Sequence, residues 1–413
     1  MISVRRERSE IRVFPSCHRL VEEDALAMIY LDANATTPLL PEVLDQMLPW
    51  LRDGYANPSG SHRMAKQARA AIDRAREEVA ALIGASPEEI VFTGGGTESV
   101  NTALCSLDHL TGSGTAVISA IEHSAVLRSV EHQKRPTRRV AVDEGGCLVL
   151  TDFEAALEGA AYVSLMAANN ETGVIQPLIE AAAVARRRGL PVHTDAVQAA
   201  GKTPLDVRQL GVDLLSLSAH KFHGPKGVGL LYVRGGLDFK PMLLGGGQEA
   251  GRRSGTENTA GIVGMGAAAA CALRYLSQHG EAALALMRDA FETKVLAGLS
   301  GVTMNGDTMG RLGNTSHLSF DGCEAAGLLI LLDEAGVACS AGSACMTGKQ
   351  KPSHVQLAMN IPEARAKSSL RFSFSRCNTP DEAMQAADIL IESVKKLRRV
   401  QGSGVGPVVV YSP

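Results

Sequence analysis

Two cysteines, Cys339 and Cys345, stand six residues apart in "VACSAGSACMTGKQKPSHV" (337–355), among Ala, Ser and Gly, with Lys and His downstream. Such a pair can serve as metal ligands, a disulfide, packing residues or a nucleophile on a loop. None of the eight cysteines (17, 105, 147, 271, 323, 339, 345, 377) forms the C-x-x-C spacing of a structural zinc site. Their scatter through a long chain fits a reducing cytoplasm better than a disulfide framework. A free thiol has a pKa of about 8.5, so a cysteine used as a nucleophile needs a local group to take its proton. Gly342 and the small neighbours suit a flexible loop.

Other chemistry-bearing residues are dispersed. "GGGTES" (94–99) places glycines before Thr97, either a phosphate cradle at a helix N-terminus or a plain turn capped by Thr97. It lacks the G-x-x-x-x-G-K-[ST] pattern of a nucleotide P-loop. His123 lies in "IEHSAV", and Asn169 and Asn170 lie in "ANNETG", where they can equally make a turn. Asp195 and Gln198 are three residues apart in "HTDAVQAAGK", which aims both at one site if a helical turn starts there. Alone, Asp195 reads equally well as a helix cap. "SAHKFHGPKG" offers Ser218, His220, Lys221 and Lys226.

The elements that must position these residues are legible as short, nearly all-apolar runs: "EIVFT" (89–93), "TAVISA" (115–120), "AYVSLMA" (161–167), "LPVHT" (190–194), "VDLLSLS" (212–218) and "GVGLLYVR" (227–234). Helical patterns between them indicate a mostly parallel sheet covered on both faces. The last two runs are joined too briefly for a helical crossover and should be antiparallel neighbours. Ile72, Ala75, Val79, Leu82 and Ile83 share one face of a helix that Gly84 should end. Ligands of such sheets sit at the carboxyl ends of the strands. Five successive strand ends there supply an anion cradle, an imidazole, an amide, a carboxylate and a lysine. That set meets the needs of pyridoxal phosphate: an amine for a Schiff base, a carboxylate for the ring nitrogen and donors for the phosphate.

The whole chain of 413 residues is long enough for more than one domain. With 45% hydrophobic and 21% charged residues and a net charge of −3, nothing directs it to nucleic acid or an anionic membrane. The longest apolar run, "GIVGMGAAAACAL" (261–273), reads as a tightly packed core helix rather than a membrane span. Residues 1–27 mix charges of both signs and read as a disordered extension, and Met28 looks like an alternative start. Residues 28–40 should pack with a small domain, residues 41–275 should form the large cofactor-binding domain, and residues 276–413 the small α+β domain that carries the 337–355 loop. In "SLRFSFSR", Leu370, Phe372 and Phe374 alternate with Arg371, Ser373 and Ser375, the pattern of a half-buried strand.

"YLDANATTP", "ANPSGSHRMAKQAR", "EIVFTGGGTES", "EHSAV", "ANNETG", "HTDAVQAAGK", "SAHKFHGPKGVGLLYVR", "GRRSGTEN", "CSAGSACMTGKQKPSHV" and "LRFSFSR" together resemble the cysteine desulfurases of NifS/IscS type, within the class V aminotransferase family. The resemblance runs from about residue 29 to 400, and "SLRFSFSR" with "GPVVVY" leans toward the nitrogen-fixation branch. It implies the fold-type-I architecture of pyridoxal enzymes: a seven-stranded-type, mostly parallel sheet with helices on both faces and a smaller C-terminal α+β domain. It further implies Lys221 as the lysine that bonds pyridoxal phosphate, Asp195 as partner of the ring nitrogen and Gln198 as donor to the ring's phenolic oxygen. His123 becomes the stacked imidazole that moves protons. Gly96, Thr97, Ser218 and His220 meet the phosphate, and Asn170 stands beside cofactor and substrate. Thr256 would reach the neighbouring subunit's phosphate, which implies a homodimer. Arg371 would grip the carboxylate of L-cysteine.

By the same resemblance Cys345 is the nucleophile that takes sulfur as a persulfide, and Cys339 a packing residue. L-alanine leaves, and the sulfur passes to an acceptor scaffold protein for iron–sulfur cluster assembly. No resident metal, nucleic acid or membrane is expected, although the persulfide of Cys345 allows transient ligation of an iron–sulfur unit. Lys351 stands where the family commonly has an acid before Pro-Ser-His, which bears on the choice of acceptor. Two rival readings are a selenocysteine lyase or other class V pyridoxal enzyme, and a non-catalytic sulfur or iron–sulfur carrier without pyridoxal.

Overall fold

A computed structural model describes residues 28–341 and 352–402. Its strands in chain order are β1 (Ile29–Tyr30), β2 (Ile90–Thr93), β3 (Thr115–Ser119), β4 (Thr137–Val140), β5 (Ala160–Met166), β6 (Val192–Asp195), β7 (Leu214–Ser218), β8 (Gly229–Val233), β9 (Val302–Met304), β10 (Thr315–Phe320), β11 (Val337–Ala338) and β12 (Ser369–Ser373). The central sheet has seven strands in the order β2-β8-β7-β6-β5-β3-β4. β8 runs antiparallel to both neighbours, and the remaining pairs are parallel. β7 and β8 are thus the antiparallel neighbours expected from their short connection. β2, β6, β7 and β8 are buried throughout, which is why they read as continuous apolar runs. β4 is the strand that the apolar pattern misses: "TRRV" exposes Arg138 and Arg139 at the sheet's edge, where charge discourages further pairing.

The helix Arg63–Leu82 buries Ile72, Ala75, Val79 and Leu82, and Gly84 follows at φ +66°. Helix Thr259–His279 crosses it closely: a Cβ on Gly266 would lie 2.6 Å from Ala75 Cα, so only glycine permits this approach. This helix is longer than the apolar run that announces it, and by length and hydropathy it would suffice to cross a bilayer. Ten of its residues, mostly Gly and Ala, are instead buried within the protein.

A second apolar core gathers Phe291, Leu318, Phe320, Leu370, Phe372 and Phe374 with Ile29 and Leu31 from the beginning of the described chain. Its sheet runs β12-β10-β9, both pairs antiparallel, and β1 pairs in parallel with β11. The rings of Phe372 and Phe374 lie 5.0 and 5.5 Å from that of Phe291. β12 departs from the half-buried pattern: all five residues are buried. Its apolar side faces this core, while Arg371 and Ser373 bond to residues 31–34 and Asn170 instead of to solvent.

Candidate active site

Gly96, Thr97, His123, Asn170, Asp195, Gln198, Ser218, His220, Lys221 and Arg371 line one cavity of about 350 Å³, together with Asn34, Ala35 and Ser340. The topology explains the convergence. β2, β3, β5, β6 and β7 end on the same edge of the sheet, and each is followed by one of the candidates. Thr256 is exposed and does not line this cavity. Cys345 and Lys351 lie outside the described residues.

At the β2 end, Gly95 turns the chain at φ +151° into the helix Gly96–Leu110. Gly229 on β8 lets that turn come close: a Cβ there would sit 2.5–2.6 Å from the carbonyl carbon and Cα of Gly95. The helix therefore points its N-terminal N–H groups into the cavity, a position that favours an anion. Ser218 is buried at the end of β7. His220 Nδ1 meets Thr36 Oγ1 at 3.2 Å, and burial beside Lys221 and Lys226 holds its ring neutral, down at about 4.

Asp195 ends β6. Val197 N–H donates to its Oδ1 at 3.0 Å, and burial raises its carboxyl above the usual range, opposed by His123 and Lys221. The helical turn expected after it exists: the N–H groups of Ala199 and Ala200 both donate to Ala196 C=O. His123 caps the helix Ser124–His132, its Nδ1 accepting from Ala125 N–H at 3.2 Å. Burial lowers its pKa, against the pull of Asp195. In the neutral ring Nε2 then carries the hydrogen. The thiol-deprotonating role expected of His123 thus requires Nδ1 to release Ala125.

Lys221 Nζ donates to the carbonyls of Asn34 and Ala35 at 2.6 and 2.8 Å. Burial, then Arg371, push its ammonium down to about 8, against Asp195 and Asp32. Arg371 donates through Nη2 to Asp32 Oδ1 at 2.6 Å and through Nη1 to Asn170 C=O at 2.8 Å, and its buried Nε has no hydrogen-bond partner among the described residues. Cys339 packs partly against the second core, and burial with Asp32 pushes its thiol up to about 12. It holds essentially no thiolate at neutral pH, as a packing residue should.

Several site residues escape sequence reasoning. Asn34 is the hub: its carbonyl accepts from Lys221 and from Gln198 Nε2 (2.9 Å), and its side chain joins Thr315, Asn314 and Lys202. Glu122 is fully buried beside His123 and rises to about 8 through burial. Glu171 is buried too, and its Oε2 accepts from Ser353 Oγ at 2.6 Å. Ser353 in turn caps the helix His354–Ala358, and His354 Nε2 meets Glu122 C=O at 3.0 Å. Only Lys202 left a usable trace, its i, i+4 spacing from Gln198. Glu122 and Glu171 adjoin His123 and Asn170 in sequence but carry no sign there of being buried, and Asn34, Ser353 and His354 meet the site across more than a hundred residues of chain.

The aminotransferase class-V family pattern matches residues 29–385. The chain belongs to that family of enzymes. Within it, a cysteine desulfurase of Enterobacter agglomerans is 45% identical over 376 residues, 90% of this chain and 93% of that protein. "Cysteine desulfurase NifS" of Azotobacter vinelandii is 41% identical over 93% of this chain and 97% of its own. A solved structure described as a NifS-like protein superposes with a TM-score of 0.83 at 35% identity, covering 89% of this chain and all of that one.

Proposed function

We propose that this chain is a pyridoxal-phosphate-dependent cysteine desulfurase. It removes sulfur from L-cysteine, releases L-alanine and holds the sulfur as a persulfide on Cys345 for an acceptor protein of iron–sulfur cluster assembly. One observation carries the reading: an amine, a carboxylate, an imidazole, an arginine and a helix N-terminus converge on a single cavity. The reading includes a cytoplasmic homodimer and a division between large and small domains near residue 275.

The donor set fits the cofactor. Asp195 is a buried carboxyl whose only hydrogen bond among the described residues comes from Val197, so a cationic ring nitrogen gives it the partner it lacks. Lys221 is a half-buried amine held, among the described residues, by two backbone carbonyls. The N-terminus of helix Gly96–Leu110, with Thr97, Ser218 and His220, would hold the phosphate, and Gln198 the phenolic oxygen. When bound, the cofactor supplies an electron sink for bonds at the substrate Cα.

The chain's own residues do the rest. With its ammonium at about 8, Lys221 keeps roughly a tenth of its amine unprotonated at pH 7, far more than an ordinary lysine, and can take the substrate's Cα proton at Nζ. Arg371 orients the substrate carboxylate, its guanidinium already fixed by Asp32 and Asn170. His123 lines the cavity and would take up the Cys345 thiol proton at Nδ1 as it lets go of Ala125.

The test has two arms. Borohydride reduction of the purified protein should fix pyridoxal phosphate to Lys221, located by peptide mass spectrometry. Incubation with L-cysteine should add one sulfur atom to Cys345, and Cys345→Ser should keep the cofactor but lose the sulfur and the alanine. A protein that binds no pyridoxal phosphate, or adds its sulfur elsewhere, overturns the reading.

A further inference from the structure

Among the described residues, Lys202 is a strongly basic side chain bonded to the site's own residues that the proposed reaction does not use. It sits one helical turn beyond Gln198, nine-tenths or more buried. Among the described residues, the charged and titratable groups around it are Lys221, Arg371, His223, Tyr275 and Arg376, with no carboxylate among them. Burying an amine among cations is costly, and the position is not needed for packing, where Leu or Met would serve. What the amine does is make two hydrogen bonds, each at 2.8 Å: one to Gln198 Oε1 and one to Asn34 Oδ1.

Both partners are side-chain amides, and an amide can turn over, exchanging its oxygen for its nitrogen. An ammonium offers donors alone, so it selects the oxygen of each amide. The consequence for Gln198 is specific. With Oε1 held by Lys202, Nε2 must face the other way, where it donates to Asn34 C=O at 2.9 Å and borders the cavity. The consequence for Asn34 is parallel. With Oδ1 shared between Lys202 and Asn314, Nδ2 donates to Asn170 C=O and Thr315 Oγ1. That bond holds the residue whose carbonyl receives Lys221.

We propose that Lys202 is a positioning residue that locks the amide of Gln198, and that of Asn34 behind it, with nitrogen toward the cofactor site. The inference rests on the pyridoxal reading above. If Gln198 donates to the ring's phenolic oxygen, the lock keeps that oxygen anionic by guaranteeing a donor instead of an acceptor. Burial and the neighbouring cations lower the pKa of Lys202 well below that of a free lysine, and the lock is at full strength in the ammonium form, which has donors alone.

The experiment is a pH titration of the visible absorbance of the cofactor-loaded protein, for wild type, Lys202→Met, Gln198→Ala and the double variant, with thermal melts of each to establish folding. Lys202→Met should raise the midpoint by about one pH unit, the loss of one hydrogen bond to a charged oxygen. Gln198→Ala should raise it similarly, and the double variant no further than Gln198→Ala alone. If Lys202→Met does not fold, Lys202→Gln, whose amide is no longer restricted to donating, replaces it and should move the midpoint in the same direction. A variant at 202 that keeps the wild-type midpoint overturns the proposal. So do additive shifts in the double variant, which would assign the effect to charge at 202 acting independently of Gln198. A wild-type protein with no cofactor absorbance instead refutes the pyridoxal reading itself, so the two failures are distinguishable.

Discussion

At the scale of single residues, the site is built from groups held away from their ordinary charge. Lys221, His123, His220 and Lys202 are all pushed toward the neutral form, and Asp195, Glu122 and Glu171 toward the protonated form, in each case first by burial. Glu122 gives the cleanest measurement. Its Oε1 accepts from Ser119 Oγ and Met166 N–H, both at 2.8 Å, while Oε2 has no partner among the described residues. Its folded pKa, about 8, exceeds the ordinary 4.5. The stability it allows is therefore fully present below pH 4.5 and lost as pH rises through 8. Glu122→Gln preserves the accepting oxygen and removes the ionisation. Urea unfolding of the cofactor-free protein should find the variant and wild type alike at pH 4, and the variant more stable at pH 8 by on the order of 4 kcal/mol. A difference that does not grow with pH would mean that Glu122 is ionised in the folded protein.

At the scale of elements, close backbone approaches decide whether these groups meet. Gly229 on β8 presses against Gly95, which opens the helix whose N-terminus faces the cavity. Gly229→Ala would put a methyl group inside van der Waals contact of backbone, which cannot swing aside as a side chain could. A cost of about 1–3 kcal/mol in stability is expected, along with at least roughly tenfold weaker binding of pyridoxal phosphate in equilibrium titration. Full affinity in a destabilised variant would detach the turn from the anion site. These approaches also mark how far the sequence can be read. The buried strands announce themselves by composition, and the groups at their carboxyl ends follow from the topology of a parallel sheet. β4 is silent because an edge strand has no second neighbour to bury its arginines, and the buried second face of β12 is silent because Asp32 and Asn170 cover it with polar atoms. Asn34 could not be singled out, since its role depends on five segments that meet only in the fold.

At the scale of the whole molecule, the cavity draws on both apolar cores: Lys221 and Asp195 from the central sheet, Arg371 from the smaller one, and Asn34 between them. Thr256 is what the single chain leaves over. It is exposed, on a segment tied by Ser254 N–H to Leu243 C=O, and the next residue, Leu244, is 82% exposed. A hydroxyl with no place in its own cavity, on a segment hydrogen-bonded to one that carries an exposed leucine, is the surface a second copy would cover in the proposed homodimer. Thr256→Ala removes one hydroxyl from an exposed position, so the melting of the cofactor-free protein should not change, while affinity for pyridoxal phosphate should fall about tenfold. Leu244→Glu should lower the sedimentation mass toward that of one chain and weaken cofactor binding in step, because the partner's Thr256 departs with it. Monomeric Leu244→Glu protein that binds the cofactor as tightly as wild type would show each site to be complete within one chain, and Thr256 would then need another explanation.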